Sequence, residues 1–500
     1  MSVFDLDRIG RGLPFAAALP ALREALATTG TAVVQAPPGT GKTTLVPPAV
    51  AADAPKDNVP WLYRGSDVPQ DREWVFGELP NGLRYAVRNN RVPPGQVSIR
   101  IRIDAGSLYE RDGEEGYAHL IEHLLFRQSK YLGDGEAIPT WQRLGASFGN
   151  DTNAETTPTH TVYKLDLPDA TDASLDESFK LLSGMVSAPT LSEGNIRSDV
   201  PIVLAEMRER GGAAMRVQEA TRSTFYRGQP LANRSPIGTE QSLLAANQDS
   251  VRAFYRRWYR PENVTIVVAG DEDPDALADL VRKWFGGWKA DGPTTPAPDF
   301  GQPVAPAGAD PKNPVGEAGV LVEPDLPRSI TYAILRPWKK VDDTIVYNQG
   351  LMADALAQAI VNRRLESKAR AGGSFLLAQV SQDDVSRSVD GTFVSVTPLD
   401  HQWNKALAEV RAVIADALAQ PPSPEEIARE VAEIEVAFQT PVEQRRLLPG
   451  SKLADDLVTA VDIRETVAAP EDVLEIFRKS IPLFTPQRVL EHTRALFKGS

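Results

Sequence analysis

From Trp74 onward, short runs of alternating apolar and polar residues give way to helical spacing and return again. "WVFGELPNGLRYAVRNN" (74–90) sets Asn81-Gly82 between two alternating runs and predicts a β-hairpin. "QVSIRIRIDAG" (96–106) alternates strictly and predicts a strand, as does "THTVYKLDL" (159–167). "SLDESFKLLSGMV", "SDVPIVLAEMRER" and "DALADLVRKWFGGW" carry the spacing of amphipathic helices, the second with Pro201 placed near its start. "NVTIVVAGD" reads as a buried strand. After a Pro-rich stretch at 290–316 a similar order returns. "TYAILRPW" and "GTFVSVTPL" predict strands, and "NQGLMADALAQAIVNRRLESKAR", "NKALAEVRAVIADALAQ" and "EEIAREVAEIEVAF" predict helices. The pattern predicts two tandem α+β domains, 74–289 and 317–500, joined by an extended linker and related by duplication.

The first residues follow another pattern. "LPALREALATTG" predicts a helix and "TAVVQA" a buried strand, followed by "APPGTGKTT" (36–44). Gly39, Gly41, Lys42 and Thr43 match a phosphate-binding loop, with Ala36 where the first glycine often stands. Residues 1–50 form this block and 51–73 a polar linker. An NTPase also needs a second acidic strand for Mg²⁺, and no such segment follows. The expectation is an orphan fragment that adds nothing to catalysis.

Composition narrows the chemistry. The 500 residues carry a net charge of −13 and no cysteine. Thiol catalysis and cysteine-ligated metal are excluded, and a general nucleic-acid binder is disfavoured because phosphate binding needs a basic surface. No apolar run approaches a membrane span. The N-terminus lacks an export signal and reads at face value as cytoplasmic.

Only five histidines occur, and two lie in "GYAHLIEHLLF" (116–126). At about 100° per residue, His119 and His123 fall about 40° apart on one helix face, with Glu122 beside them. Two imidazoles one turn apart suit a zinc ion, and a carboxylate next to it suits proton transfer from an activated water. Asp112 and Glu115 are placed to form a capping box for this helix. Glu206, in an apolar helical segment, is the candidate third ligand, since a carboxylate there is costly unless partnered. Asp199, two turns earlier on the same face, is a candidate to support a ligating histidine.

"HLIEH" follows the H-x-x-E-H order of inverzincins. With "LPNGLRYAV", "GASFGNDTNAETTPTHTVYKLDLP", "VLAEMRE", "SPIGTEQSL" and "FYRRWYRPENVTIVVAGD", the chain resembles the pitrilysin/insulinase family of zinc metallopeptidases from about residue 74 onward. Residues 1–50 resemble the start of a DEAH-type ATP-dependent helicase. The first resemblance implies two insulinase-type domains, each a mainly antiparallel sheet packed with helices, the second non-catalytic. It implies His119, His123 and Glu206 as Zn²⁺ ligands and Glu122 as general base. At Asp199 the family usually has Glu. Asn153 resembles a residue beside the substrate cleft, and "HTVYKLDL" the edge strand on which a peptide substrate lies. Family members close a clamshell from two halves, so a second half or second copy is the expected partner, and an exported bacterial enzyme the expected setting. His401, in the second domain, is expected to be structural or solvated. The implied activity is that of a metalloendopeptidase. A non-catalytic peptide-binding subunit and an ATP-dependent helicase fragment are the alternatives.

Overall fold

The computed structural model describes residues 18, 59–306, 308 and 318–499; the phosphate-loop residues Gly39, Gly41, Lys42 and Thr43 lie outside them. The hairpin forms as predicted from β1 (Val75–Glu78) and β2 (Arg84–Asn89). Gly82 takes φ +90° at the turn, and the Asn81 side chain accepts a bond from the Leu83 amide at 3.2 Å. With β3 (Val97–Ile103), β4 (Thr152–Thr156), β5 (Thr161–Leu167) and β6 (Val264–Gly270), they build one sheet in the order β1-β2-β6-β3-β5-β4. Only the β2–β6 pairing is parallel. The edge strand is therefore β4, not the "HTVYKLDL" strand, which is β5 and lies between β3 and β4. β4 is five residues long and mostly polar, so it carries no apolar alternation to mark it; a short polar strand suits an exposed edge.

One face of this sheet packs under three helices, Tyr117–Leu125, Asp172–Ser187 and Pro274–Phe285, around Ile99, Ile101, Tyr163, Leu165, Phe179 and Phe285. Alternation in "VSIRIRI" predicts that Ser98, Arg100 and Arg102 face water, yet all seven residues of β3 are buried. The cover is the helix Gly450–Ile463, from the far end of the chain. It brings Leu453, Ala454, Leu457 and Val461 against Ala86, Val162 and Val267. It also brings two carboxylates to the two arginines. Arg100 Nε meets Asp455 at 2.8 Å, and Arg102 Nη2 meets Asp462 at 2.8 Å.

The second sheet has three described strands, β7 (Ile330–Pro337), β8 (Phe375–Val385) and β9 (Val389–Pro398), in the order β7-β9-β8. That order repeats β3-β5-β4 of the first sheet, as duplication predicts. β8 was not legible from its pattern, because its Asp383-Asp384 end breaks the alternation. The long helix Ile345–Arg370 packs on β8. Part of the Pro-rich linker is held in place: Phe300 packs edge-on against Tyr109 at 5.4 Å, and its carbonyl accepts from Ser388 Oγ at 2.9 Å. No described helix is long and apolar enough to cross a membrane.

Candidate metal centre

The histidine helix, Tyr117–Leu125, starts later than its expected cap. Gly116 is the N-cap in the left-handed region, and a Cβ there would lie 2.9 Å from the Gly238 Cα. Asp112 and Glu115 do not form a capping box. Both carboxylates are taken by Arg234, at 2.5 and 2.8 Å. Glu110 does the capping instead. Its carboxylate accepts from the Gly116 and Ala118 amides at 3.0 and 2.9 Å. Burial raises the Glu110 carboxyl pKa well above the usual range, against the pull of those two amides. Glu110 was missed because it lies in a separate turn before the helix, where sequence spacing gives no capping signal.

The carboxylate Glu206 comes from the helix Glu193–Glu209, capped by Ser192, whose side chain accepts from the Asn195 amide at 3.1 Å. Pro201 lies in the middle of this helix, not near its start. The Ser192 cap sets the helix start at Glu193, eight residues before Pro201, where the polar "SEGNIR" hides the helical pattern.

The two helices bring three groups together. Glu206 Oε2 lies 3.5 Å from His119 Nε2 and 3.5 Å from His123 Nε2. One ligand atom from each of the three residues falls within 4.8 Å of the others. Ligand bonds of about 2.0–2.1 Å in a tetrahedron put neighbouring donors about 3.4 Å apart, so the set fits zinc. The imidazole rings stand edge to face, 4.8 Å between centroids. Burial pushes His119 down to about 3, helped by the charges of His123 and Arg210, which keeps its ring neutral as a metal ligand must be.

Glu122 sits beside this set but outside it. Thr156, at the end of β4, donates its hydroxyl to Glu122 Oε2 at 2.5 Å. Burial raises the Glu122 pKa to about 7; the Thr156 bond opposes this, and the charges of Glu206 and Glu155 add to it. A carboxyl poised near neutrality is suited to give and take a proton. Thr156 is invisible to a motif search, because β4 reaches the histidine helix only in the folded sheet.

These residues line a cleft of about 480 Å³ with Phe126, Phe148, Asn153, Glu155 and Ile237. Asn153 thus lies at the cleft, on the edge strand itself. Asp199 does not support a histidine. It is buried and pairs with Arg127, whose Nε lies 2.9 Å from Oδ2. Two helical turns span about 10 Å, which takes a short aspartate away from the imidazoles and toward Arg127. Among the other histidines, His160 meets Asp462 at 3.2 Å, His492 meets Asp354 at 2.7 Å, and His401 is exposed, as expected of a solvated residue.

Two family profiles match the chain: "Insulinase (Peptidase family M16)" over residues 85–236 and "Peptidase M16 inactive domain" over residues 245–434. The "Probable zinc protease PqqL" of Haemophilus influenzae is 26% identical over 444 residues, 87% of this chain and 46% of that protein. The Escherichia coli protein of the same description is 32% identical over 215 residues, 43% of this chain and 23% of that protein. The chain spans less than half the length of these curated relatives. The crystal structure of the first half of the periplasmic protease PqqL from Escherichia coli superposes with a TM-score of 0.75 at 22% identity, covering 86% of this chain and 90% of that one.

Proposed function

Since the chain belongs to the insulinase-type peptidase family M16, we propose that it is a zinc-dependent endopeptidase acting on extended peptides. The observation that carries this reading is the convergence of His119, His123 and Glu206 with Glu122 held beside them. In this reading the first three hold the metal. Zinc bound there supplies Lewis acidity, activating a water and polarising the scissile carbonyl. Glu122 takes the proton of the attacking water on its carboxylate and returns it to the leaving amine. Thr156 fixes that carboxylate by the hydroxyl bond to Oε2. The free edge of β4 offers main-chain groups to an extended peptide, and Asn153 flanks it. A second half or a second copy would enclose the cleft and exclude water, which the proposed chemistry favours. Export, as in the periplasmic Escherichia coli relative, is the location we favour.

Chelation tests the reading. Treating the protein with 1,10-phenanthroline should abolish cleavage of a fluorogenic peptide, and added zinc should restore it. Cleavage that persists in zinc-free protein would contradict the proposal.

Thr156→Val gives a pH test. A bond donated to a carboxylate favours its ionised form, so losing it raises the Glu122 pKa further. The base must be ionised, so the acid limb of the kcat/KM profile should move to higher pH. An unmoved limb would show that Thr156 does not tune Glu122.

A further inference from the structure

The two oxygens of Glu206 are used differently. Oε2 faces both imidazoles at 3.5 Å, while Oε1 is held by Arg210 Nη2 at 2.5 Å. Arg210 is one turn further along the same helix end and also lines the cleft. Among the cleft-lining residues it is the single lysine or arginine, set against Glu122, Glu155 and Glu206. We propose that Arg210 is a positioning residue that confines Glu206 to one metal-facing oxygen and so keeps a coordination position free for water. The inference rests on the metal-site reading above and goes beyond it.

A carboxylate can bind a metal through one oxygen or two. Three single-atom protein ligands leave the open position that a catalytic zinc needs. A second oxygen from Glu206 would compete for that position, next to Glu122. To swing inward, Oε1 must separate from the Arg210 guanidinium and break that ion pair. The Arg210 side chain is 57% exposed, and an exposed i,i+4 pair adds little to folding. Its purpose is therefore not stability. Removing a cation near a dication also strengthens metal binding by itself, so affinity alone does not report on orientation. Coordination number does.

The test uses the whole chain loaded with cobalt(II), comparing wild type with Arg210→Gln, Arg210→Lys and Arg208→Gln. Arg208 is exposed on the same helix end and lines no part of the cleft. Wild type should show the intense visible absorption of four-coordinate cobalt. Arg210→Gln should lose intensity severalfold as Glu206 closes on the metal with both oxygens, and kcat on the zinc form should fall about tenfold with KM unchanged. Arg210→Lys should recover most of the band, and Arg208→Gln should match wild type. All four should unfold at the same temperature. An Arg210→Gln spectrum and kcat equal to wild type would overturn the role of Arg210 alone. A wild-type chain that takes up no cobalt would overturn the metal-site reading beneath it.

Discussion

Glu122→Gln should lower kcat/KM for peptide cleavage by at least about a hundredfold, the low end of what general acid–base catalysis contributes. The substitution keeps the size of the side chain and can still accept the Thr156 hydroxyl bond. It removes only the ability to take a proton. Glu122 lies outside the three-residue donor set, so zinc content should be unchanged. The buried surroundings that push Glu122 up to about 7 also make a neutral amide easy to accommodate. The variant should fold normally, and steady-state kinetics with a fluorogenic peptide should show a loss in kcat with substrate binding retained. Cleavage within a few-fold of wild type would remove Glu122 from the chemistry.

Asp462 ties the helix Gly450–Ile463 to the first sheet. Asp462→Ala should destabilise the protein by about 3 kcal/mol, the low end for breaking a buried ion pair. Asp462 accepts from Arg102 Nη2 at 2.8 Å and from Thr159 Oγ1 at 2.8 Å, and it faces His160 and Arg387. Arg102 is 1% exposed, and after the substitution it keeps only Asp104, at 3.2 Å. The effect carries a pH signature. Burial works against ionisation of Asp462, but the bond and charge of His160, with Arg102 and Arg387, outweigh it and hold the group far below the usual range. Asp104 is likewise held down against its burial by Arg102, Arg464 and Arg387. A depressed carboxyl contributes stability that is complete above its unfolded pKa of about 3.9 and is lost as pH falls below it. The difference between wild type and Asp462→Ala should therefore be full near neutrality and begin to shrink as pH falls below about 4. Urea unfolding at pH 7 and pH 3 measures this; equal midpoints at pH 7 would contradict it.

The reach of the sequence depended on how local each signal was. His119, Glu122 and His123 lie within one helical turn, so their shared face follows from helix geometry alone. The β1–β2 hairpin was legible for the same reason, through Asn81-Gly82. Glu206 could be singled out as a carboxylate in an apolar helix, but its distance to the histidines depends on how two helices cross. Arg100 and Arg102 show where alternation misleads. A strand with one apolar face predicts water on the other, unless a distant element covers it. Here the helix Gly450–Ile463 does so, with Asp455 and Asp462 two turns apart to meet the two arginines. The reading of Asp199 fails in the same way, because its partner, Arg127, lies on another element. Thr156 and the true edge strand, β4, became visible only once β4 was seen beside β5.

In the proposed site His119, His123 and Glu206 hold a metal while Glu122 works beside it. Zinc per chain, measured by mass spectrometry on dialysed wild type, Glu122→Gln and Glu206→Gln, tests this arrangement most directly. Zinc should be stoichiometric in wild type and Glu122→Gln, and strongly reduced in Glu206→Gln. Zinc lost from Glu122→Gln and kept in Glu206→Gln would contradict it.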